Sequence, residues 1–175
     1  MKNLEELTDL AIEIINECCN HPEFTLIDRP LKVNYRARSR WGLCTTYNHG
    51  TCSKIEISSL ILADDVPDEK TLSTIVHELL HAVKGAAKDG HRGIWKTYAD
   101  RINKLYPDLE ISRCTSAEFF GIDEKTFENK TDFHKYAIGC ENCSMIHYSS
   151  KLSKTIKHPN LYKCGCCGGK LIRLK

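Results

Sequence analysis

The sequence lacks a long hydrophobic run, since no stretch reaches the roughly 18 consecutive apolar residues that a membrane-spanning helix requires. It also lacks the basic start and continuous apolar stretch of a secretory signal, because residues 1–6 are acidic and lead into an amphipathic segment. Internal repeats and low-complexity segments are absent as well. We therefore expect a cytoplasmic protein that does not associate with membranes.

A strong net charge is missing too, because the formal charge of the 175 residues is only +2. Apolar residues make up 41% of the chain and charged residues 27%, which suits a globular core. The charge is unevenly distributed. Residues 132–175 carry eight Lys/Arg against two acidic residues, a net of +6, which leaves −4 on residues 1–131. This asymmetry indicates that the C-terminal end faces a polyanion, with a merely solvated basic tail as the alternative.

Cysteine, in contrast, is plentiful, with ten in the chain. In a reducing cytoplasm, clustered cysteines are typical of metal ligands rather than disulfides. Cys140 and Cys143 form one CxxC pair, and after twenty intervening residues Cys164 and Cys167 form a second. Two such pairs predict the tetrahedral sulfur cage of a structural zinc, with Cys166 as a spare thiol that could replace either member of the second pair. The other five cysteines are expected to be small buried hydrophobic residues: Cys18, Cys19, Cys44, Cys52 and Cys114.

Hydrophobic periodicity predicts three helices and a small sheet. Apolar residues recur at three-to-four spacing over residues 4–19, and alternation within 31–62 favours a hairpin or meander of two or three strands with a turn at 47–50. Pro67 and the acidic residues after it open a second helix, for which Gly85 is the expected C-cap. The third helix is expected from about His91 to Tyr106, where Pro107 stops it. The ranges expected for these elements are 4–19, 31–62, 66–85 and 91–106.

The second of these helices carries the pattern His77-Glu78-Leu79-Leu80-His81. Residues four apart lie on one face of a helix, so His77 and His81 can direct imidazole nitrogens at one ion. Glu78 lies close enough to accept a proton from water at that ion without being a ligand, which is the arrangement of zinc hydrolases. The alternative is a surface helix whose two histidines are incidental.

A catalytic zinc needs a third protein ligand and one open position. His91 is the best candidate, because it follows His81 by ten residues after a glycine-bearing turn that could fold the chain back. Glu110 and Glu118 are weaker alternatives. The spacing alone leaves this ligand open.

Four blocks of the sequence together resemble the SprT-like zinc metallopeptidases, a family that includes Spartan, the protease of DNA–protein crosslinks. The blocks are RARSRWGLC at 36–44, IEISSLIL at 55–62, IVHELLHA at 75–82 and GHRGIWK at 90–96. The cysteine pairs at the C-terminus complete the resemblance. The chain is similar to short bacterial and phage members of the family that carry a zinc ribbon. The family commonly has glycine directly after its third histidine, whereas here Arg92 intervenes before Gly93.

The resemblance implies an α+β fold, with a small antiparallel sheet packed against zincin-type helices and followed by a small β zinc ribbon. It implies a metallopeptidase domain over residues 1–131 and the ribbon over 132–175. It further implies one catalytic zinc on His77, His81 and His91 with Glu78 as the catalytic base, and one structural zinc on the ribbon cysteines Cys140, Cys143, Cys164 and Cys167.

The ribbon also suggests a nucleic-acid partner. Basic side chains neutralise phosphates and aromatic rings stack on bases, so single-stranded or junction DNA is a reasonable partner, although a solvated basic ribbon is the alternative. Arg36, Arg38 and Arg40 alternate along an expected strand and would share one face, either as a second basic patch or in structural ion pairs. The basic and aromatic residues around the cage are Lys135, Lys151, Lys154, Lys157, Lys163, Lys170, Arg173, Tyr148 and Tyr162.

The leading hypothesis is a DNA-associated endopeptidase that cuts proteins bound or crosslinked to DNA. One alternative is a nucleic-acid-binding adaptor whose metal helix is not catalytic. Another is a peptidase directed at one regulatory protein, with a ribbon that recognises protein.

Overall fold

A computed structural model describes residues 1–25, 31–37, 40–47, 50–123 and 135–175. The chain divides into two compact units, residues 1–113 and 114–175. The domain boundary predicted at residues 131 and 132 lies outside the described residues and stays a prediction. Within the described ranges, every helix is too short or too polar to cross a membrane.

The first unit contains three α-helices and a three-stranded sheet. Its first helix begins and ends where the periodicity predicts. The Asn3 side chain accepts hydrogen bonds from the backbone N–H groups of Glu5 and Glu6, and Asn20 ends the helix in a left-handed conformation. The elements are α1 (Leu4–Cys19), β1 (Lys32–Asn34), β2 (Gly42–Thr46), β3 (Cys52–Ser58), α2 (Asp68–His81) and α3 (Gly93–Leu105).

The sheet has the strand order β1-β3-β2, with β3 in the centre. The pair β2–β3 is antiparallel, but β1 pairs parallel to β3. The α+β class is therefore confirmed, while the sheet is mixed and not wholly antiparallel. The reason is that β3 buries residues such as Ile55 and Ile57 and is paired along both edges. Since β2 occupies one edge as a hairpin partner, β1 takes the other by a crossover.

The second helix ends at His81, four residues before the predicted cap at Gly85. The chain leaves the helix because the next residues pair with the segment after α1. The Thr25 N–H donates to the Ala82 carbonyl, and Val83 forms an antiparallel bridge with Phe24. Gly85 has a positive φ of 85° in the turn that follows, a conformation that glycine readily adopts. The prediction that Gly85 caps α2 is nevertheless wrong, because the helix ends before it.

Two of the arginines expected on one strand face, Arg36 and Arg40, are not on a strand. Arg36 lies in a turn, where its N–H donates to the Asn34 side chain. Arg40 precedes β2, and Arg38 lies outside the described residues. The side-chain amide of Asn34 competes for the backbone N–H groups that a continuing strand would use. The shared basic face is therefore wrong for Arg36 and Arg40.

The second unit contains an antiparallel sheet of order β5-β4-β6 around a small core. That core consists of Ile138, Ile156, Cys164 and Leu171. The expected small β ribbon is thus present in this unit. Its regular elements are β4 (Tyr136–Cys140), β5 (Ile146–Ser149), the short helix α4 (Lys154–Lys157) and β6 (Leu171–Arg173).

The five cysteines that precede the C-terminal cysteine cluster differ in burial. Cys19 and Cys52 are buried as predicted, while Cys18 and Cys44 are half-buried. Cys114 is exposed, which makes the prediction wrong for that residue. It lies in an irregular segment between helical turns, where no apolar face of a helix or strand carries it into a core.

Candidate metal centres

Helix α2 carries two histidines side by side. Its apolar side chains are buried against neighbouring elements, and this packing fixes the direction in which the histidines point. Leu72, Ile75, Val76, Leu79 and Leu80 are all buried. The helix packs against α1, α3 and the strands β2 and β3. The His77 and His81 rings lie next to each other, with ring centroids 5.2 Å apart. The predicted shared face is therefore present.

His91 joins these two histidines from the turn that precedes α3. Its Nε2 atom lies 3.0 Å from His77 Nε2 and 3.1 Å from His81 Nε2. The turn reverses through Gly90, whose φ of 57° is in the left-handed region. One donor nitrogen from each of the three rings thus falls within 4.8 Å of the others, a group that could hold a metal ion.

The donor set fits zinc on its chemistry. Burial lowers the pKa of His77 to about 3 and that of His81 to about 4. The pKa of His91 is lowered mainly by burial and in addition by the positive charge of Arg113. Neutral imidazoles expose the lone pairs that a metal needs. The three ring nitrogens lie within 4.8 Å of one another and cannot all be paired by hydrogen bonds among themselves, because a neutral ring carries only one N–H. A shared cation resolves that conflict.

Two groups outside the ligand set orient His77. Its Nδ1 atom lies 2.8 Å from the carbonyl oxygen of Ser112, which can only accept, so Nδ1 carries the proton and Nε2 presents its lone pair. The indole N–H of Trp95 donates to the backbone carbonyl of His77 at 3.2 Å. The buried Trp95 ring also contacts all three histidine rings, at centroid distances of 4.9, 5.7 and 4.7 Å.

This role of Trp95 was not predicted from the sequence, although a signal for it exists. Trp95 belongs to the same short block as His91, at residues 90–96, which makes it a candidate neighbour of that histidine. Ser112 carries no such signal, because its backbone carbonyl and not its side chain makes the contact.

Glu78 follows His77 in helix α2 and is buried, with 7% of its surface exposed. It contacts the edge strand β2 closely. A Cβ added at Gly42 would lie 2.6 Å from both Cγ and Oε1 of Glu78, so only glycine leaves room for the carboxylate. Burial raises the pKa of Glu78 to about 7, while the backbone N–H of Cys44 and the charge of Arg40 act to lower it. A carboxyl group of this kind can accept a proton near neutral pH.

The two alternative third ligands are placed elsewhere. Glu110 pairs with Lys70, whose Nζ lies 2.5 Å from its Oε1. Glu118 belongs to a short 3-10 turn in the second unit. Among the described residues, neither joins the group of three histidines.

Replacing His91 by alanine is expected to weaken zinc binding at this group by at least about tenfold, since one of three protein ligands is lost. Glu110→Ala serves as the matched control and should retain the wild-type zinc affinity. Competition with a chromophoric chelator measures both. Equal zinc affinities of His91→Ala and the wild type would contradict the assignment of His91.

The second unit brings together Cys140, Cys143, Cys164 and Cys167, whose sulfur atoms all lie within 4.8 Å of one another. The Sγ atoms of Cys140 and Cys167 are 3.4 Å apart, and those of Cys143 and Cys164 are 3.7 Å apart. Both predicted pairs therefore meet. Cys166 is outside this group of four.

Backbone N–H groups point at the sulfur atoms of this group. Asn142 donates to Cys140 Sγ and Gly169 donates to Cys167 Sγ, each at 3.4 Å. The Asn142 hydrogen bond is the main cause that lowers the pKa of Cys140, to about 7. Such hydrogen bonds favour the thiolate that coordinates metal. Gly168 has a φ of 74°, the left-handed turn that a glycine allows here.

Comparison with known proteins agrees with this geometry. The model of the SprT-like family matches residues 12–115, more than half of the chain. A curated relative, the germ cell nuclear acidic protein of Drosophila melanogaster, is 24% identical over 148 residues. That match covers 82% of this chain but only 12% of the relative, so the chain spans a small part of that protein's length. No solved structure matches the chain. With the family match falling on the three histidines and Glu78, the chain belongs to the SprT-like family, whose members are of metallopeptidase type.

Proposed function

We propose that this protein is a zinc-dependent endopeptidase that cuts proteins bound or crosslinked to DNA. The observation that carries the proposal is the convergence of three imidazole nitrogens, together with the buried carboxylate of Glu78, the residue that follows His77. His77, His81 and His91 are the proposed ligands of the catalytic zinc. Glu78 is the proposed general base.

The bound zinc would supply Lewis acidity, which makes water more acidic and polarises the carbonyl of the scissile peptide bond. The residues of the chain supply the proton transfer and the positioning. Glu78 takes a proton from the attacking water and later gives it to the leaving amine, a task suited to a carboxyl group with a pKa of about 7. The Cys44 N–H holds that carboxylate in place, and the Ser112 carbonyl holds the His77 ring.

A second zinc is proposed on Cys140, Cys143, Cys164 and Cys167, with a structural role. Four cysteines leave no open coordination position, which is typical of structural sites. The core of this unit is small, so metal binding is expected to supply much of its folding free energy.

The same unit is proposed to bind single-stranded or junction DNA. Tyr148 and Tyr162 each expose 40% of their surface, and Leu161 next to Tyr162 exposes 73%. Aromatic side chains at an exposed surface can stack on unpaired bases, and the excess of lysines can neutralise phosphates. The unit would then hold DNA while the zinc site cuts protein brought near it. Little sequence preference in the protein substrate is expected, because positioning comes from the DNA.

Binding of the zinc-loaded full chain to a labelled single-stranded oligonucleotide tests the DNA part of the proposal. We expect the affinity to fall linearly with salt on logarithmic axes, because phosphate contacts release counterions. Tyr162→Ala should weaken binding by about 5- to 150-fold, the range for loss of one stacked base at roughly 1–3 kcal/mol. Fluorescence anisotropy provides the measurement.

The matched control is Tyr35→Ala, because Tyr35 is an exposed tyrosine of the first unit. This variant should bind DNA as the wild type does. An absence of binding even at low salt would remove the DNA claim and favour a peptidase directed at one regulatory protein. DNA binding without any protein cleavage would favour the adaptor.

A further inference from the structure

Two cysteines outside both metal groups lie in contact on neighbouring strands. The Sγ atoms of Cys44 on β2 and Cys52 on β3 are 2.9 Å apart. Cys44 is paired with Ile55, and Cys52 with Thr46, so the two are diagonal neighbours in the ladder. The register shifts between Thr45 and Thr46, and such a bulge increases the local twist of the strands. The irregular register is where the two side chains meet.

The two thiols differ in burial and in proton affinity. Cys52 is completely buried, whereas Cys44 is half-buried. The hydrogen bond from the Cys44 thiol is the main cause that lowers the pKa of Cys52, and the same contact raises the pKa of Cys44. One partly accessible sulfur therefore lies against a second, buried sulfur whose pKa is lowered by the contact. This is the arrangement in which a buried thiol resolves an adduct on its neighbour.

We propose that Cys44 and Cys52 form a reversible disulfide site, oxidised by a low-molecular-weight disulfide of the glutathione class. Cys44, the sulfur that the small disulfide can reach, loses its proton as it attacks one sulfur of that disulfide, whose S–S bond breaks, and the first small thiol leaves with this proton. The Cys52 sulfur then attacks Cys44 Sγ. The second small thiol leaves with the Cys52 proton, so the protein loses two electrons and the small disulfide gains them.

The disulfide would act on the proposed catalytic base through the strand that carries Cys44. The backbone N–H of Cys44 donates to the Glu78 carboxylate, and Gly42, two residues earlier, contacts the same side chain. A covalent bond draws the two sulfurs closer than their present contact, which pulls β2 at Cys44 toward β3. Since Glu78 is buried against this strand, its carboxylate loses the position that proton transfer requires.

The oxidation itself can be tested without any assay of activity. Residues 41–54 form one tryptic peptide that contains both cysteines and no internal Lys or Arg. The zinc-loaded full chain is incubated with oxidised glutathione, alkylated with a maleimide under denaturing conditions and digested. We expect this peptide to appear unlabelled and two hydrogens lighter, and to take up two labels after phosphine reduction. Two labels in the oxidised sample, or glutathione retained on Cys44, would overturn the proposal.

The effect on catalysis rests on the proposed function and forms a second measurement. Oxidation should lower peptidase activity at least about tenfold, reversibly, with both zincs retained by elemental analysis. The Cys52→Ala variant should form no disulfide after the same treatment, and its 41–54 peptide should instead carry one glutathione on Cys44 that phosphine removes. Activity unchanged in a chain whose 41–54 peptide is fully oxidised would overturn the link to Glu78. A reduced chain without any activity would contradict the proposed function, while the peptide mass would still decide the disulfide.

Discussion

Replacing Glu78 by glutamine is expected to abolish peptide-bond cleavage while zinc binding and DNA binding persist. Glutamine has nearly the size of glutamate, so it fits the space that Gly42 leaves without a new clash. An amide cannot take up the proton of the attacking water. Loss of a positioned general base typically costs about 10²- to 10⁴-fold in rate. The side chain is not among the proposed zinc ligands, so the metal content should not change.

The effect is measured as the rate at which an unstructured protein is cut in the presence of single-stranded DNA. The zinc content per chain is measured on the same samples. Glu69→Gln is the matched control, because Glu69 lies in the exposed first turn of the same helix. It should cut at the wild-type rate. Cleavage by Glu78→Gln at the wild-type rate would contradict the base assignment. Loss of zinc along with cleavage would show that Glu78 acts through the structure of the site.

Local signals explain why the sequence predicted the helices well. Over residues 4–19 the apolar spacing and the polar cap coincide, and α1 spans that range. The start of α2 also agrees, because acidic residues follow Pro67. The end of α2 could not be predicted in the same way. It is set by pairing of Val83 with Phe24, a contact between distant parts of the chain.

The candidate site was predictable to the extent that it depends on one helix. His77 and His81 follow from helical spacing, and His91 needed the resemblance of its surrounding block to a family. The environment of Glu78 could not be predicted from the sequence, because Gly42 and the Cys44 N–H come from a separate strand. Strand alternation gives the face of a side chain but not the helix that it meets. The parallel pairing of β1 with β3 could not be predicted either, because alternation within a strand does not show which strand lies next to it.

The second large effect is expected in the ribbon, where Cys167→Ser should lower the zinc content from two per chain to one. A hydroxyl is a much poorer zinc ligand than a thiolate, and a structural site depends on all four ligands. Cys167 Sγ lies 3.4 Å from Cys140 Sγ in the group of four. The small core of Ile138, Ile156, Cys164 and Leu171 should then fail to hold the unit together. Elemental analysis and limited proteolysis of the C-terminal unit measure the two consequences.

Cys166→Ser provides the matched control, since it changes the adjacent residue in the same way. Cys166 lies outside the group of four, and its N–H donates to Cys164 Sγ, a hydrogen bond that serine preserves. This variant should therefore retain two zincs and resist proteolysis as the wild type does. Loss of zinc from Cys166→Ser but not from Cys167→Ser would reverse the ligand assignment.

Because DNA binding is proposed for this unit and peptide cleavage for the other, Cys167→Ser should also lose DNA binding while Glu78 still supports cleavage of DNA-free protein.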